Sequence, residues 1–419
     1  MRKKVLFVVN TLGRAGAETA LLELLKRLDE RDYELFLYVI MEQGEMRDQL
    51  PSHVRLLNPV FHTQSVLTKS GKRRMANTVL WAFFRNGGWW GKLRSIRESF
   101  RSMKRNGRIQ TEKLLWRMLS DGARRFDRKF DMAVAYLEGA SAYYVADHVT
   151  ADRKCAFVHI DYESAGYTKE MDQGCWEQMD RIFTVSEEVR THFLAVYPEY
   201  AFKTGIFHNL IDQEAIRRRA KEDGGFQDVY EGTRLLTVGR LTYQKAYDIA
   251  IDALRILKDL GYQVRWYVLG EGEQRPMLEK KIAALGLKED FVLLGAVANP
   301  FPYYVQTDLY IHATRFEGKS IAIQEAQTLG CTVIASDCSG NREQVEDGTD
   351  GVLCELTPRA IADCIAALLK EKEKRKRLGE AAAKKTMTQK EEIGKLIQVL
   401  TGREQDGEKR IIDYDTGLQ

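Results

Sequence analysis

Glu317 and Glu325 are the two carboxylates of Arg315-Phe-Glu-Gly-Lys-Ser-Ile-Ala-Ile-Gln-Glu325, one just ahead of a turn and the other a little over one turn into a helix. Acids so placed can accept hydrogen bonds from hydroxyls at two ends of one ligand. Among 60 acidic residues such a pair also arises by chance from solvated charges, so the surroundings decide. Asp308-Leu-Tyr-Ile-His312, just ahead, is a short apolar run that reads as a buried strand. Ser320 suits a helix N-cap, Gly330 a helix stop, and Cys331-Thr-Val-Ile-Ala335 the next strand. This is one strand, loop, helix, strand unit of a parallel sheet, in which ligands bind at the carboxyl ends of strands, where Glu317 falls. The helix start near Ser320 adds unpaired backbone N–H groups and a positive dipole end, a seat for phosphate. The ligand that matches has phosphate in the middle and hydroxyls at both ends.

A second loop supplies the cations. Leu235 to Val238 reads as a strand leading into Gly239-Arg240-Leu-Thr-Tyr-Gln-Lys245, and a helical pattern follows through Ile249, Ala250, Ala253, Leu254 and Leu257. Arg240 can grip two phosphate oxygens at once, while Lys245 brings a mobile point charge. Taken alone, both are ordinary surface charges. Together with the two glutamates they make a phosphate-and-hydroxyl site.

The elements that must position these residues alternate strand and helix in both halves of a 419-residue chain, which predicts two α/β domains. In the first half, residues 5–9, 130–136, 155–160 and 181–185 read as strands, and residues 17–28 as a helix entered through the turn Asn10-Thr-Leu-Gly-Arg-Ala-Gly16. That turn lacks the G-x-G-x-x-G dinucleotide spacing, and Gly270-Glu-Gly272 has no third glycine after it. The predicted boundaries are residues 1–210, residues 211–390, and a tail at 391–419 that returns to the first domain. Six cysteines show no metal-ligand spacing and read as reduced thiols of a cytoplasmic protein. No run approaches the roughly 18 apolar residues of a membrane span.

Charge is uneven. The net charge is +4, yet residues 69–129 hold 18 Lys and Arg against 4 Asp and Glu, together with Trp81, Trp89, Trp90 and Trp116. Cations mixed with Trp and Phe suit an anionic membrane surface, and the same composition would serve single-stranded nucleic acid. A solvated insert with one apolar face on its own domain is the plainer alternative.

Val238-Gly-Arg-Leu with Lys245, then Glu317-Gly-Lys-Ser-Ile-Ala-Ile-Gln-Glu-Ala326, Asp337-Cys-Ser-Gly-Asn-Arg-Glu343 and Asp347-Gly-Thr-Asp-Gly351, resemble the retaining glycosyltransferases of family 4. The resemblance implies the GT-B fold: two Rossmann-like domains facing each other across a cleft, the N-terminal one on the acceptor side. It implies transfer of a hexose or N-acetylhexosamine from a UDP-linked donor to a saccharide or lipid-linked saccharide in cell-surface polysaccharide synthesis. Arg240 and Lys245 would hold the donor diphosphate, Glu325 the ribose hydroxyls, and Glu317 would face the sugar. Gly16, Gly239, Gly318, Lys319, Ser320 and Ile321 complete the donor contacts, and His159 matches the active-site histidine near the sugar. Lys319-Ser320 stands where Phe-Gly or Phe-Pro is more usual. No cofactor and no metal are expected, since the single D-x-D, Asp413-Tyr-Asp415, lies in the tail. Nucleic acid is not an expected partner, and peripheral contact with the inner face of the cell membrane is, through Trp81, Trp89 and Trp90. The rivals are a sugar-nucleotide epimerase or phosphorylase of the same fold and a non-enzymatic nucleic-acid binder, which would leave Arg240, Lys245, Glu317 and Glu325 unexplained.

Overall fold

A run such as Lys3-Lys-Val-Leu-Phe-Val-Val9 cannot stand with one face in water, because every residue from Val5 onward is apolar. It is buried on both faces. Val5, Phe7 and Val9 join one apolar cluster while Leu6 and Val8 join another, the period of two that a strand imposes. The computed structural model describes residues 2–66, 68–105, 113–162, 165–385 and 389–402, so Asp413-Tyr-Asp415 lies outside the described residues.

Thirteen strands form two sheets among the described residues. The first contains β1 (Lys3–Val9), β2 (Tyr33–Val39), β3 (Val54–Leu56), β4 (Lys129–Ala135), β5 (Thr150–Val158), β6 (Arg181–Thr184) and β7 (Thr204–Ile206), in the order β3-β2-β1-β4-β5-β6-β7. The second contains β8 (Thr233–Val238), β9 (Val264–Leu269), β10 (Phe291–Gly295), β11 (Leu309–His312), β12 (Val333–Ser336) and β13 (Val352–Cys354), in the order β10-β9-β8-β11-β12-β13. Every pairing is parallel. The chain reverses its direction of travel across the sheet beside β1 and β4 in one domain and beside β8 and β11 in the other. Such switch points open a crevice at the strands' carboxyl ends.

The two domains are joined by apolar contact and by backbone. One apolar cluster runs without interruption from Leu21 and Val39 through Leu210 and Ile216 to Ile321 and Val333. Helix Gln389–Thr401 crosses back to the first domain, where Leu396 and Leu400 pack near Val5, Leu28, Tyr33 and Met132. Lys395 donates to the Ile206 carbonyl at 2.9 Å, and Glu392 accepts from the His208 backbone N–H at 3.0 Å and from its ring at 2.8 Å.

The basic segment is a helical hairpin, Lys69–Phe84 and Trp89–Arg105. Asn86, Gly87 and Gly88 all have φ near +65°, a tight left-handed turn that needs asparagine and glycine. Lys92 is buried and donates to the carbonyls of Ala82, Phe83 and Arg85, satisfying the end of the first helix. Lys113 and Arg117 are also buried, so part of the segment's charge is structural. No helix among the described residues is long and apolar enough to cross a membrane.

Candidate active site between the two switch points

Four loops meet at the facing crevices: those after β1, β5, β8 and β11. The loops after β8 and β11 are zipped together. Arg315 N–H donates to the Gln244 carbonyl at 2.8 Å, the Thr314 hydroxyl to the same carbonyl at 3.0 Å, and the Gln244 amide to the Phe316 carbonyl at 2.9 Å. Arg315 also pairs bidentately with Asp248 and lies over the Tyr243 ring. The 3₁₀ turn Tyr243–Lys245 is thereby fixed against Glu317.

Lys245 and Glu317 form a close ion pair, side chain to side chain. His312, at the end of β11, donates from Nε2 at 3.0 Å to the same Glu317 oxygen, lies 3.4 Å from the Lys245 ammonium, and has Tyr310 3.1 Å from its other nitrogen. Burial works against ionising Glu317, but the Lys245 charge and the His312 contact hold its carboxyl down at about 2. Burial and the neighbouring ammonium push the His312 pKa down, so its ring is neutral and orients Glu317 without charging. Nothing in the sequence singled out His312 beyond its place in a strand.

Arg240 is exposed and makes no side-chain hydrogen bond among the described residues. It faces Glu18 across the cleft. Burial raises the Glu18 carboxyl to about 6, while the Arg240 charge and a 3.1 Å bond from the Thr11 hydroxyl pull the other way. Gly16 lies against Ile321: a Cβ there would stand 3.6 Å from Ile321 Cδ1. Gly318 approaches the His159 carbonyl in the same way at 3.1 Å. The structure thus brings Gly16, His159, Gly239, Arg240, Lys245, Glu317, Gly318 and Ile321 around one cleft.

Ser320 does precede helix Ile321–Thr328, but its hydroxyl makes no capping bond. The expected cap is corrected. The buried amide of Gln344 instead clamps the Ser320 backbone, accepting from Ser320 N–H at 2.7 Å and donating to the Ser320 carbonyl at 2.9 Å, and leaves the first-turn N–H groups of the helix uncapped by Ser320. Beneath it, short helix Ser339–Arg342 sits so close that a Cβ on Gly340 would stand 2.1 Å from the Glu317 carbonyl, so only glycine fits. Glu325 is half-buried one turn along, accepting from the Tyr304 hydroxyl at 3.0 Å. Burial raises its carboxyl to about 7, partly offset by Tyr304 and Arg219. Lys319 is half-buried among Glu343, Glu392, Lys385 and Lys395 at the domain seam, and burial lowers its ammonium to about 8. His159 is half-buried and neutral, its pKa pushed down to about 3 by desolvation, and its Nε2 has no hydrogen-bond partner. Trp81, Trp89 and Trp90 stand apart from this cleft, exposed on the hairpin. No cluster of three metal-ligating side chains occurs among the described residues.

This architecture is that of the GT-B fold. Over 91% of the chain it superposes on 94% of an Anabaena protein, HepE, crystallised with UDP-glucose, at a TM-score of 0.61 and 18% identity. Over 96% it superposes on 97% of a sucrose-phosphate synthase from Thermosynechococcus elongatus, at 0.62 and 12%. Residues 226–385 match the family described as glycosyl transferases group 1. An alpha-D-kanosaminyltransferase of Streptomyces kanamyceticus is 32% identical over 46% of this chain and 49% of its own. An N-acetylgalactosaminyltransferase of Campylobacter jejuni, whose name gives a diphospho-undecaprenol saccharide as its acceptor, is 28% identical over 56% of this chain and 59% of its own. The chain thus spans roughly half the length of these curated relatives.

Proposed function

We propose that the whole chain, whose residues 226–385 match the glycosyl transferases group 1 family, is a retaining, metal-independent glycosyltransferase that moves a hexose or N-acetylhexosamine from a UDP-linked donor to a saccharide or lipid-linked saccharide. The observation that carries the reading is the arrangement of opposed charges at the β8 and β11 switch point: Arg240 uncommitted, Lys245 on Glu317, and Glu325 one turn into helix Ile321–Thr328. A nucleotide sugar fits this order. Its ribose hydroxyls meet Glu325, its diphosphate meets Arg240, Lys245 and the helix start, and its sugar meets Glu317.

In transfer, the bond between the anomeric carbon and the diphosphate oxygen breaks, and its electron pair leaves on the diphosphate. Arg240 and Lys245 stabilise that growing charge. The acceptor oxygen bonds to the anomeric carbon from the face the diphosphate leaves, and its proton passes to the departing phosphate oxygen. The neutral His159 can accept a hydrogen bond from a sugar hydroxyl without placing a positive charge beside an electron-poor carbon. No cofactor is needed by this chemistry. Support for UDP comes from the Anabaena neighbour, and for a lipid-linked acceptor from the name of the Campylobacter relative.

The reading extends to peripheral contact with anionic membrane at a cytoplasmic face. The hairpin tip exposes Leu80, Trp81, Phe84, Trp89, Trp90 and Leu93, flanked by the exposed cations Arg73, Arg94, Arg97 and Arg101, an apolar knuckle in a basic collar. Calorimetric titration of UDP tests the donor site. Micromolar to millimolar binding that Glu325→Ala weakens and Glu317→Ala leaves nearly unchanged is expected; equal loss in both contradicts the placement of Glu317 at the sugar.

A further inference from the structure

Ser320 is buried at the N-cap position of helix Ile321–Thr328. A serine in that place ordinarily spends its hydroxyl on an N–H of the first turn. Here the hydroxyl makes no capping bond, and among the described residues no hydrogen bond reaches the N–H groups of Ile321, Ala322 or Ile323. The first N–H of the helix to find a partner is that of Gln324, which donates to the Ser320 carbonyl at 3.3 Å.

What holds Ser320 is Gln344, 24 residues further along the chain, whose amide takes the Ser320 N–H and the Ser320 carbonyl together. One side chain thus does for this residue what a neighbouring strand would do. Gln344 is buried and is itself fixed from three sides. Its N–H donates to the Asn341 carbonyl at 3.0 Å, and its carbonyl accepts from Gln327 Nε2 at 2.7 Å and from Lys385 Nζ at 2.6 Å. Asn341 lies in the short helix beneath Glu317 and Gly318, Gln327 lies in the helix that Ser320 starts, and Lys385 is anchored on Asp350. The clamp therefore ties the start of one helix to the bed on which the Glu317 loop rests. A buried amide packs no better than an aliphatic side chain of its length, so its two bonds to Ser320 are what distinguish it.

Two tasks that a capping serine combines are separated here. Gln344 fixes the chain at the helix start, and the first-turn N–H groups stay open. Open N–H groups at the positive end of a helix bind phosphate oxygens, and a capping hydroxyl would compete for them. We propose that Gln344 is a positioning residue for the donor diphosphate: it clamps the Ser320 backbone so that the open N–H groups of the first turn of helix Ile321–Thr328 are aimed at phosphate oxygens. The proposal rests on the sugar-transfer reading above and adds to it a residue that acts on the donor only through Ser320.

The test measures binding of UDP and of uridine, by calorimetry and saturation-transfer NMR, to the full chain and to Gln344→Met and Gln344→Asn, with a thermal melt on each. Gln344→Met keeps the length and packing and removes both bonds, while Gln344→Asn keeps an amide and withdraws it from Ser320 by one methylene. Uridine carries base and ribose without phosphate, so a general disturbance of the domain would weaken both ligands alike. The expected result is UDP affinity lowered about 10-fold in each variant, with uridine affinity unchanged. UDP affinity retained in either folded variant, or equal loss for UDP and uridine, overturns the role of Gln344 and leaves the donor reading standing. An unsubstituted chain that binds no UDP overturns the donor reading, and this proposal falls with it.

Discussion

Arg240 and Lys245 carry the same sign in the same loop, yet the structure gives them different tasks. Lys245 is committed to Glu317, whereas Arg240 is exposed and uncommitted, the posture of a side chain that meets its partner only in the complex. Arg240→Ala should therefore lower turnover by on the order of 100-fold through lost stabilisation of the leaving diphosphate, while the melting temperature stays within a degree or two. Steady-state kinetics beside a thermal melt checks both. Glu325 offers a test by pH. Its folded-state pKa, about 7, lies above the ordinary carboxylate value, so ionising it costs the folded protein as pH rises from that ordinary value through about 7. Glu325→Gln should thus be more stable than the parent at pH 8, by of order 1–3 kcal/mol, and equal to it at pH 4. UDP affinity should rise with pH through the same window in the parent, since an ionised carboxylate is the stronger acceptor, and this slope should vanish in the variant. Denaturant melts and calorimetry at four pH values read both effects. Glu317 runs the other way: its contribution, held by Lys245, is complete above the ordinary carboxylate value and fades only as pH falls toward about 2.

The elements were legible where apolar period and punctuation agreed. Val5 to Val9, Arg265 to Leu269 and the strand ending at His312 all stand where their apolar runs place them, and Gly330 ends its helix with φ +72°. β2, β3, β7 and β13 escaped the reading. The last three are three residues each, too short for any period to register, and are held by their neighbours in the sheet. The hairpin escaped for a different reason. Its composition spoke of charge and tryptophan, but the fold of residues 69–105 depends on Lys92 reaching three carbonyls, a contact that no local pattern announces. Site residues divide in the same way. Arg240, Lys245, Glu317 and Glu325 sit at readable places after strands, whereas His312 meets Lys245 and Gln344 meets Ser320, partners 67 and 24 residues away. At this scale the prediction concerns the hairpin tip. Trp89 and Trp90, 45% and 70% exposed and stacked on each other, can be replaced by Ala at little cost to folding. Co-sedimentation with vesicles rich in anionic lipid should drop several-fold in that double variant and fall with added salt in the parent. Vesicle binding equal in parent and variant would leave the hairpin a structural or acceptor-shaping insert.

On the scale of the whole molecule, two domains of one design face each other with their switch points opposed, and the seam between them is polar as well as apolar. Glu343 of the second domain accepts from Glu187 and Glu188 N–H at 3.2 and 2.8 Å, capping a helix of the first, and Glu392 holds His208. Loss of residues 389–419 should uncover Val5, Leu28, Tyr33 and Met132, lowering the melting temperature by several degrees and the soluble yield with it. An unchanged melt would show that the returning helix does not hold the first domain. On the function proposed above, the cleft between these domains breaks the bond between sugar and diphosphate. The most direct measurement incubates the pure chain with a panel of nucleotide sugars and follows nucleoside diphosphate release, beside Arg240→Ala as control. The account predicts slow release from a UDP-sugar, faster with a saccharide or lipid-linked saccharide acceptor and about 100-fold slower in the variant; no release from any donor, or release that Arg240→Ala leaves untouched, would contradict it.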